Sequence, residues 1–197
     1  MITYIKGKYV EKNPAYVVIE TAGGIAYYIY ISLSTFSEVK DTDEGILLTH
    51  FVAKEDGQAL YGFYNEEERT IFRYLISVNG IGPNTALLFL SSLSISEITN
   101  AILTENVKTL QSVKGVGAKT AQRVIIDLKD KIGKISSHNI LDKKSTSYNN
   151  NKFEALSALS SLGFSKNSAE VVLDKIIGNE GINLSVEELI KKALKLL

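Results

Sequence analysis

The sequence predicts a multidomain protein in which a β-rich segment precedes α-helical segments, and three observations support this fold class. The spacing of apolar residues changes from alternation to a helical period near residue 64. A Gly-x-Gly segment occurs twice, at residues 77–86 and 112–121, with a constant offset of 35 residues. Within residues 136–151, 9 of 16 residues are Ser, Thr or Asn, and helical spacing resumes after them. We therefore expect domains at 1–64, 65–135 and 152–197, with a flexible linker at 136–151.

Composition limits the kind of protein that this chain can be. The 197 residues are 45% hydrophobic and 22% charged, which is ordinary for a soluble globular protein. Cysteine is absent, which excludes disulfides and thiolate metal sites, and only His50 and His138 offer imidazole. No apolar run approaches the ~20 residues that span a bilayer, and the start does not resemble a signal peptide. We expect a cytoplasmic protein without a membrane segment, a metal or a cofactor.

Charge is distributed unevenly along a chain whose formal net charge is zero. Residues 1–64 carry 5 basic and 8 acidic side chains, whereas residues 108–134 carry 7 basic and 2 acidic ones. The positive field is therefore local to the second Gly-x-Gly segment, which favours a local anionic ligand over general binding of nucleic acid.

The β-rich segment predicts five short strands separated by turn-forming residues. Five such strands are typical of a small barrel such as an OB-fold, with a β-sandwich as the alternative. The pair Asp56-Gly57 predicts a hairpin tip that exposes Glu55 and Asp56, although adjacent carboxylates at a tip are more often merely solvated. The predicted strands are 2–10, 16–20, 25–32, 46–53 and 59–63.

The central segment predicts five short helices. Asn65 is expected to cap the first of them, with Glu68 completing a capping box. The predicted helices are 66–78, 83–92, 96–103, 106–112 and 118–132.

The C-terminal segment predicts three helices with a thin core, which suits a docking module. An apolar stripe in the first helix is expected to end at Gly163. Ser165 is expected to cap the second helix, and Ser185 with Glu188 predicts a capping box for the third.

The two Gly-x-Gly segments each predict a helix, a tight hairpin and a second helix. Glycine permits positive φ and lacks a Cβ, so backbone amides at the start of the following helix can approach an anion closely. No side chain is placed to read base edges, which predicts sequence-independent binding of phosphates. The second copy is not a nucleotide P-loop, because Val113 and Ala118 stand where that loop requires glycine. Its candidate ligand-binding residues are Lys114, Gly115, Gly117, Lys119, Thr120 and Arg123.

Several stretches outside the glycines are specific enough to indicate a family. They are Thr49-His-Phe-Val-Ala-Lys-Glu-Asp, Leu60-Tyr-Gly-Phe, Asn79-Gly-Ile-Gly-Pro, Gly115-Val-Gly-Ala-Lys-Thr-Ala and Leu162-Gly-Phe. Across its whole length the chain resembles the RuvA family of bacterial Holliday-junction-binding proteins.

The resemblance implies an OB-fold domain, a tandem helix-hairpin-helix domain, a flexible linker and a small, UBA-like three-helix domain. It also implies a homotetramer whose concave face holds a four-way junction open, with one or two tetramers on the DNA. The expected role is that of a non-catalytic subunit in recombination and repair. The implied partners are junction DNA, the RuvB ATPase and the RuvC resolvase.

The resemblance assigns roles to three groups of residues. In the first hairpin, the implied phosphate contacts are Asn79, Gly80, Gly82 and Asn84. In the second hairpin, they are Lys114, Gly115, Gly117, Lys119, Thr120 and Arg123. An acidic pin that repels phosphates at the crossover falls on Glu55 and Asp56. An apolar surface that docks the RuvB ATPase falls on Leu159, Leu162, Phe164 and Leu194.

The chain departs from the family pattern at two places. Asn84 stands where the family generally carries Lys or Arg, and Asn79 is also uncharged, so the first hairpin is expected to bind phosphate chiefly through its backbone. Phe164 replaces a usual Tyr, which is a small change for an apolar contact.

Two alternatives belong to other functional classes. A helix-hairpin-helix DNA glycosylase or lyase would use Lys119 as a Schiff-base nucleophile, but the Asp that it needs about 18 residues later is replaced by Ser137. A single-strand binder would use the OB-like domain, but residues 1–64 are net acidic and such sites require a cationic groove.

Overall fold

A computed structural model describes residues 2–54, 57–141, 147–180 and 184–197. It divides into two compact units, Met1–Ile135 and Ser136–Leu197. The expected acidic pin, Glu55 and Asp56, lies outside the described residues.

The first unit begins with a five-stranded β-barrel. Strands β1 and β2, β2 and β3, β4 and β5, and β1 and β4 pair in antiparallel fashion, while β3 and β5 pair in parallel and close the ring. This confirms the barrel over the β-sandwich. Side chains along a strand alternate between the barrel interior and the outside. In β2, Val17 and Ile19 are fully buried, while Glu20 is exposed. The strands are β1 (Tyr4–Asn13), β2 (Tyr16–Glu20), β3 (Ala26–Ile31), β4 (Glu44–Lys54) and β5 (Gly57–Phe63).

A short helix between β3 and β4, α1 (Leu33–Val39), was not predicted from the sequence. The Ser32 hydroxyl caps it by accepting a hydrogen bond from the Thr35 amide at 3.0 Å. Seven residues without an acidic first turn carry too weak a helical pattern to be recognised next to a strand.

Helix α2 (Glu66–Ile76) shows half of the predicted capping box. The Asn65 side chain accepts a hydrogen bond from the Glu68 amide at 2.8 Å, as expected. The Glu68 carboxylate, however, is buried and accepts hydrogen bonds from Ser32 and from Thr35, the latter at 2.6 Å. The predicted return bond to the cap is therefore wrong, because two hydroxyls of α1 compete for the same carboxylate.

The helical part of the first unit shares a core with the barrel, where Phe63 packs on Phe72 with ring centroids 4.8 Å apart. Four helices follow α2. They are α3 (Pro83–Ser92), α4 (Ile95–Leu103), α5 (Val107–Gln111) and α6 (Ala118–Leu141).

Helix α6 is longer than predicted, because it continues to Leu141 instead of ending near residue 132. The next helix, α7, already begins at Ser147. Residues 136–141 and 147–151, which fall within the predicted flexible linker, are therefore helical. Polar residues alone do not end a helix when neither proline nor a capping glycine interrupts it.

Among the described residues, no single helix is long and apolar enough to cross a membrane. The pair α3 and α4 meets the length and composition requirement together, but it bends by 103°.

The second unit is a three-helix domain with its own core. Helix α7 ends at Ser161, two residues before Gly163, which has φ +97°, and the Phe164 amide donates to the Leu159 carbonyl at 3.1 Å. The predicted caps are confirmed: Ser165 accepts from the Ser168 amide, and Ser185 and Glu188 form both bonds of a capping box. The helices are α7 (Ser147–Ser161), α8 (Lys166–Glu180) and α9 (Val186–Ala193).

Candidate nucleic-acid interface

The duplicated segments fold into two hairpins with the same backbone. Gly80 has φ +97° and its counterpart Gly115 has φ +86°. The Ile81 amide donates to the Val78 carbonyl at 3.1 Å, and the corresponding bond, from the Val116 amide to Val113, also measures 3.1 Å. The 35-residue repeat in the sequence is therefore a structural repeat.

Buried apolar residues attach both hairpins to the hydrophobic core. Val78 and Val113 are each 1% exposed, and Ile81 and Val116 are 5% and 6% exposed. The residues between these anchors face solvent. They are Asn79, Gly80, Lys114 and Gly115.

The helix that follows each hairpin begins at a glycine. The Gly82 carbonyl accepts from the Ala86 amide, and the Gly117 carbonyl accepts from the Ala121 amide, both at 3.0 Å. No side chain caps α3 at Gly82. The first amides of the two helices therefore point outward without an intrahelical acceptor.

Neither N-cap glycine is required by the chain itself. Both lie outside the left-handed region of φ, and a Cβ added at Gly82 or Gly117 would meet nothing within 4 Å. By contrast, Gly80 and Gly115 need glycine for their positive φ. In the part of the chain that the structure describes, no contact with another residue therefore requires glycine at position 82 or 117. The positive end of a helix favours an anion.

The polar residues predicted from the sequence surround these two helix ends. Thr120 is half-buried beside the second. The others, Asn79, Asn84, Lys114, Lys119 and Arg123, are exposed.

Arg123 does not serve the second hairpin alone. Its Nη1 lies 3.5 Å from the Asn79 carbonyl oxygen in the first hairpin. Packing of α6 therefore places a cation of the second repeat beside the first hairpin, whose own residues Asn79 and Asn84 are uncharged.

Lys131 was missed in the sequence as a candidate. Its Nζ lies 3.5 Å from the Ser77 hydroxyl, at the end of α2. The spacing of Arg123 and Lys131 puts them on one face of a helix, but nothing local indicates that this face lies beside the first hairpin.

Another cation of α6, Lys129, is already paired. Its Nζ lies 2.5 Å from Glu105, and this hydrogen bond, together with the charge of Lys129, lowers the pKa of the Glu105 carboxyl. Glu105 itself has φ +56°, an uncommon conformation for a residue with a side chain.

The structure supports no catalytic or metal-binding role for His50. Its ring packs edge-on against Phe72 at 5.6 Å, and burial, with Arg73 and Arg69 nearby, lowers the His50 pKa. In the described ranges, no three His, Cys, Asp or Glu side chains are grouped so that they could hold a metal ion.

Only some of the residues predicted to form the docking surface of the second unit are exposed to solvent. Leu162 is 61% exposed and Leu194 is 45% exposed, whereas Phe164 is partly buried. Leu159 is fully buried in the three-helix core, so it cannot contact a partner directly. Its backbone carbonyl accepts a hydrogen bond from the Phe164 amide.

Comparison with known proteins agrees with this division of the chain. Residues 1–62 match the model of the RuvA N-terminal domain, residues 72–130 a tandem helix-hairpin-helix model, and residues 153–197 the RuvA C-terminal domain. The chain is 52% identical over 195 residues to a protein of Christiangramia forsetii, with 99% of each chain covered. The chain belongs to the RuvA family.

Other relatives lie at similar distances. A RuvA of Flavobacterium psychrophilum is 50% identical, with 99% of each chain covered, and one of Cytophaga hutchinsonii is 47% identical over the full length of both chains. All three relatives are named Holliday junction branch migration complex subunit RuvA. Both hairpins thus lie within the segment that matches the tandem helix-hairpin-helix model, between the segments that match the two RuvA domains.

Proposed function

We propose that this chain is a non-catalytic DNA-binding subunit that recognises four-way junctions by their structure and delivers them to a branch-migration ATPase in recombination and repair. The observation that carries the proposal is the pair of N-cap glycines, Gly82 and Gly117, where an added Cβ would meet no atom of the described residues within 4 Å. The names of full-length relatives support the same role.

The polar groups of the hairpins are suited to contacts with DNA phosphates and not with bases. Each offers backbone amides at a helix start, and the second adds the Lys119 ammonium and the Thr120 hydroxyl. Such groups contact the DNA backbone and carry no sequence information. The hairpins alone would bind any duplex, so a preference for junctions must come from their arrangement in an assembly.

The assembly that we propose is a homotetramer, with one or two tetramers on each junction. Strands β4 and β5 pair up to Lys54 and Gly57, and Glu55 and Asp56 lie between these two residues in the sequence. Four copies of this acidic pair near a fourfold axis would repel phosphates and help to separate strands at the crossover. Mass measurement in solution, with and without junction DNA, tests this arrangement, and a monomer on the junction would contradict it.

The central experiment compares two DNA structures of the same sequence. A synthetic four-way junction and a linear duplex are titrated with the chain in the presence of competitor DNA. We expect far tighter binding of the junction and a steep loss of affinity with salt, since phosphate contacts release counterions. Equal affinities for the two DNAs would refute the proposal.

The three-helix unit is proposed to dock the RuvB ATPase through Leu162, Phe164 and Leu194, and the RuvC resolvase is proposed to join the same assembly. Leu162→Asp should abolish pull-down of RuvB from the same organism and leave junction binding unchanged. Val171→Asp is the matched control, because Val171 is 69% exposed on α8. Equal loss in both variants would contradict the assignment of this surface.

A further inference from the structure

Helix α6 belongs to the second repeat, yet its basic side chains reach the first hairpin. Arg123 lies 3.5 Å from the Asn79 carbonyl, beside Gly80, and Lys131 lies 3.5 Å from the Ser77 hydroxyl. The two residues are eight positions apart, which is about 12 Å along a helix. They therefore flank the start of the first hairpin.

The first hairpin lacks charge of its own. Asn79 and Asn84 are neutral, and Pro83 at the first position of α3 has no N–H. The first turn of α3 therefore offers the amides of Asn84 and Thr85, whereas the first turn of α6 offers three amides and an ammonium group. A cation from elsewhere in the chain would therefore strengthen phosphate binding at the first hairpin.

Arg123 and Lys131 can both supply this charge. Both are exposed, and neither forms a salt bridge with any residue in the described part of the chain. One guanidinium N–H faces Asn79, which leaves four of the five donors of an arginine for a ligand. Asp127 lies between them on the same helical face, so its carboxylate offsets part of their positive charge.

We propose that Arg123 and Lys131 are the phosphate-binding cations of the first hairpin, which makes its site a composite of both repeats. This inference rests on the proposed function and names the residues that complete one of its two DNA contacts. Arg123 takes the place of the charge that Asn84 does not provide, and Lys131 binds a further phosphate of the same duplex arm.

The first test compares two lysines of α6. Binding to a linear duplex is measured over a range of salt for Lys131→Ala and for the matched control Lys129→Ala, in which the lost charge was paired with Glu105. We expect Lys131→Ala to reduce the slope of log affinity against log salt by about 0.9 for each subunit engaged and to weaken binding about threefold to tenfold. Equal changes in both variants would show only a general effect of net charge and would overturn the role of Lys131.

The second test is a double-mutant cycle between Arg123→Ala and Asn84→Lys. If Arg123 serves the first hairpin, a lysine at position 84 should restore most of the affinity that Arg123→Ala loses and should add little to the wild-type chain. A gain from Asn84→Lys that is the same in both backgrounds would overturn the assignment. Thermal unfolding of each variant confirms that the fold is retained.

Both tests use linear duplex, so they do not depend on junction preference. A chain that binds junction and duplex equally would refute the proposed function, while the salt slopes and the cycle would still decide which hairpin Arg123 and Lys131 serve. A chain that prefers junctions but shows no coupling between positions 84 and 123 would refute this inference alone.

Discussion

The two hairpins share one backbone but differ in the source of their charge. The second takes its cations from its own flanks, Lys114 and Lys119, whereas the first has asparagines there and lies against Arg123 and Lys131 of α6. The two copies share the turn and its buried apolar residues, on which the local fold depends. A positive charge needs only to lie close to the bound phosphate. The packing of α6 can therefore place such a charge beside the first hairpin, although α6 is distant from it in the sequence.

A second difference concerns attachment to the barrel. Helix α2, which leads into the first hairpin, is held by the Glu68 carboxylate and by Arg69, whose guanidinium donates to the Thr3 carbonyl at 2.9 Å. In the second repeat, Glu105, which follows α4, is joined to α6 through Lys129. The helix that leads into the first hairpin is thus tied to the barrel by side-chain hydrogen bonds.

The largest expected effect tests whether both N-cap glycines serve a ligand. Gly82→Ser and Gly117→Ser each add a side chain over the helix amides, while serine is a better N-cap than glycine. We expect junction affinity to fall by about tenfold to hundredfold for either change, the size of losing charge-assisted hydrogen bonds. Unfolding temperature should stay the same or rise, and a variant that binds normally would show that its amides do not contact DNA.

The other two hairpin glycines should show the opposite behaviour. Gly80→Ala and Gly115→Ala force a Cβ into the left-handed region, which costs about 1–2 kcal/mol in each case. We expect both variants to lose this much free energy of unfolding in denaturant titrations. Unequal losses would show that the two hairpins, despite matching φ values, are held with different rigidity.

A smaller effect is expected from the charge next to the second hairpin. Lys119→Ala should weaken binding about tenfold and by the same factor for all DNA sequences, because an ammonium group contacts phosphate and not bases. Affinities for several junctions of different sequence check this. A change in sequence preference would contradict phosphate binding by this residue.

The smallest effect probes the attachment of the first repeat through Glu68. Burial raises the pKa of Glu68 above its usual value of 4.5, although hydrogen bonds from Ser32 and Thr35 oppose the rise. The folded chain then holds a proton that the unfolded chain releases, so this contribution to stability is complete below the usual glutamate pKa and declines as pH rises through the raised value.

Glu68→Gln should therefore flatten the fall in unfolding temperature as pH increases from about 4.5. Glu67→Gln, on the exposed side of the same helix turn, is the matched control and should leave the pH dependence unchanged. An identical pH profile for wild type and Glu68→Gln would show that the carboxylate is ionised equally in both states.

Much of the local structure could be predicted because its signals are local. The barrel strands follow from alternation, and the caps at Asn65, Ser165 and Ser185 follow from one side chain and one amide each. The short helix α1 and the extension of α6 to Leu141 were missed, since neither carries a distinct start or stop signal. The Glu68 carboxylate was assigned to the wrong partner, because its hydroxyl ligands lie more than 30 residues away.

The sequence by itself determined the two hairpins, their apolar anchors and the exposed glycines, because the 35-residue repeat encodes each of these locally. Only the tertiary structure decided that Arg123 and Lys131 lie beside the first hairpin, that Leu159 is part of a core, and that no contact among the described residues requires Gly82 or Gly117. These facts depend on which helix faces pack together, and that packing results from the burial of many apolar side chains at once.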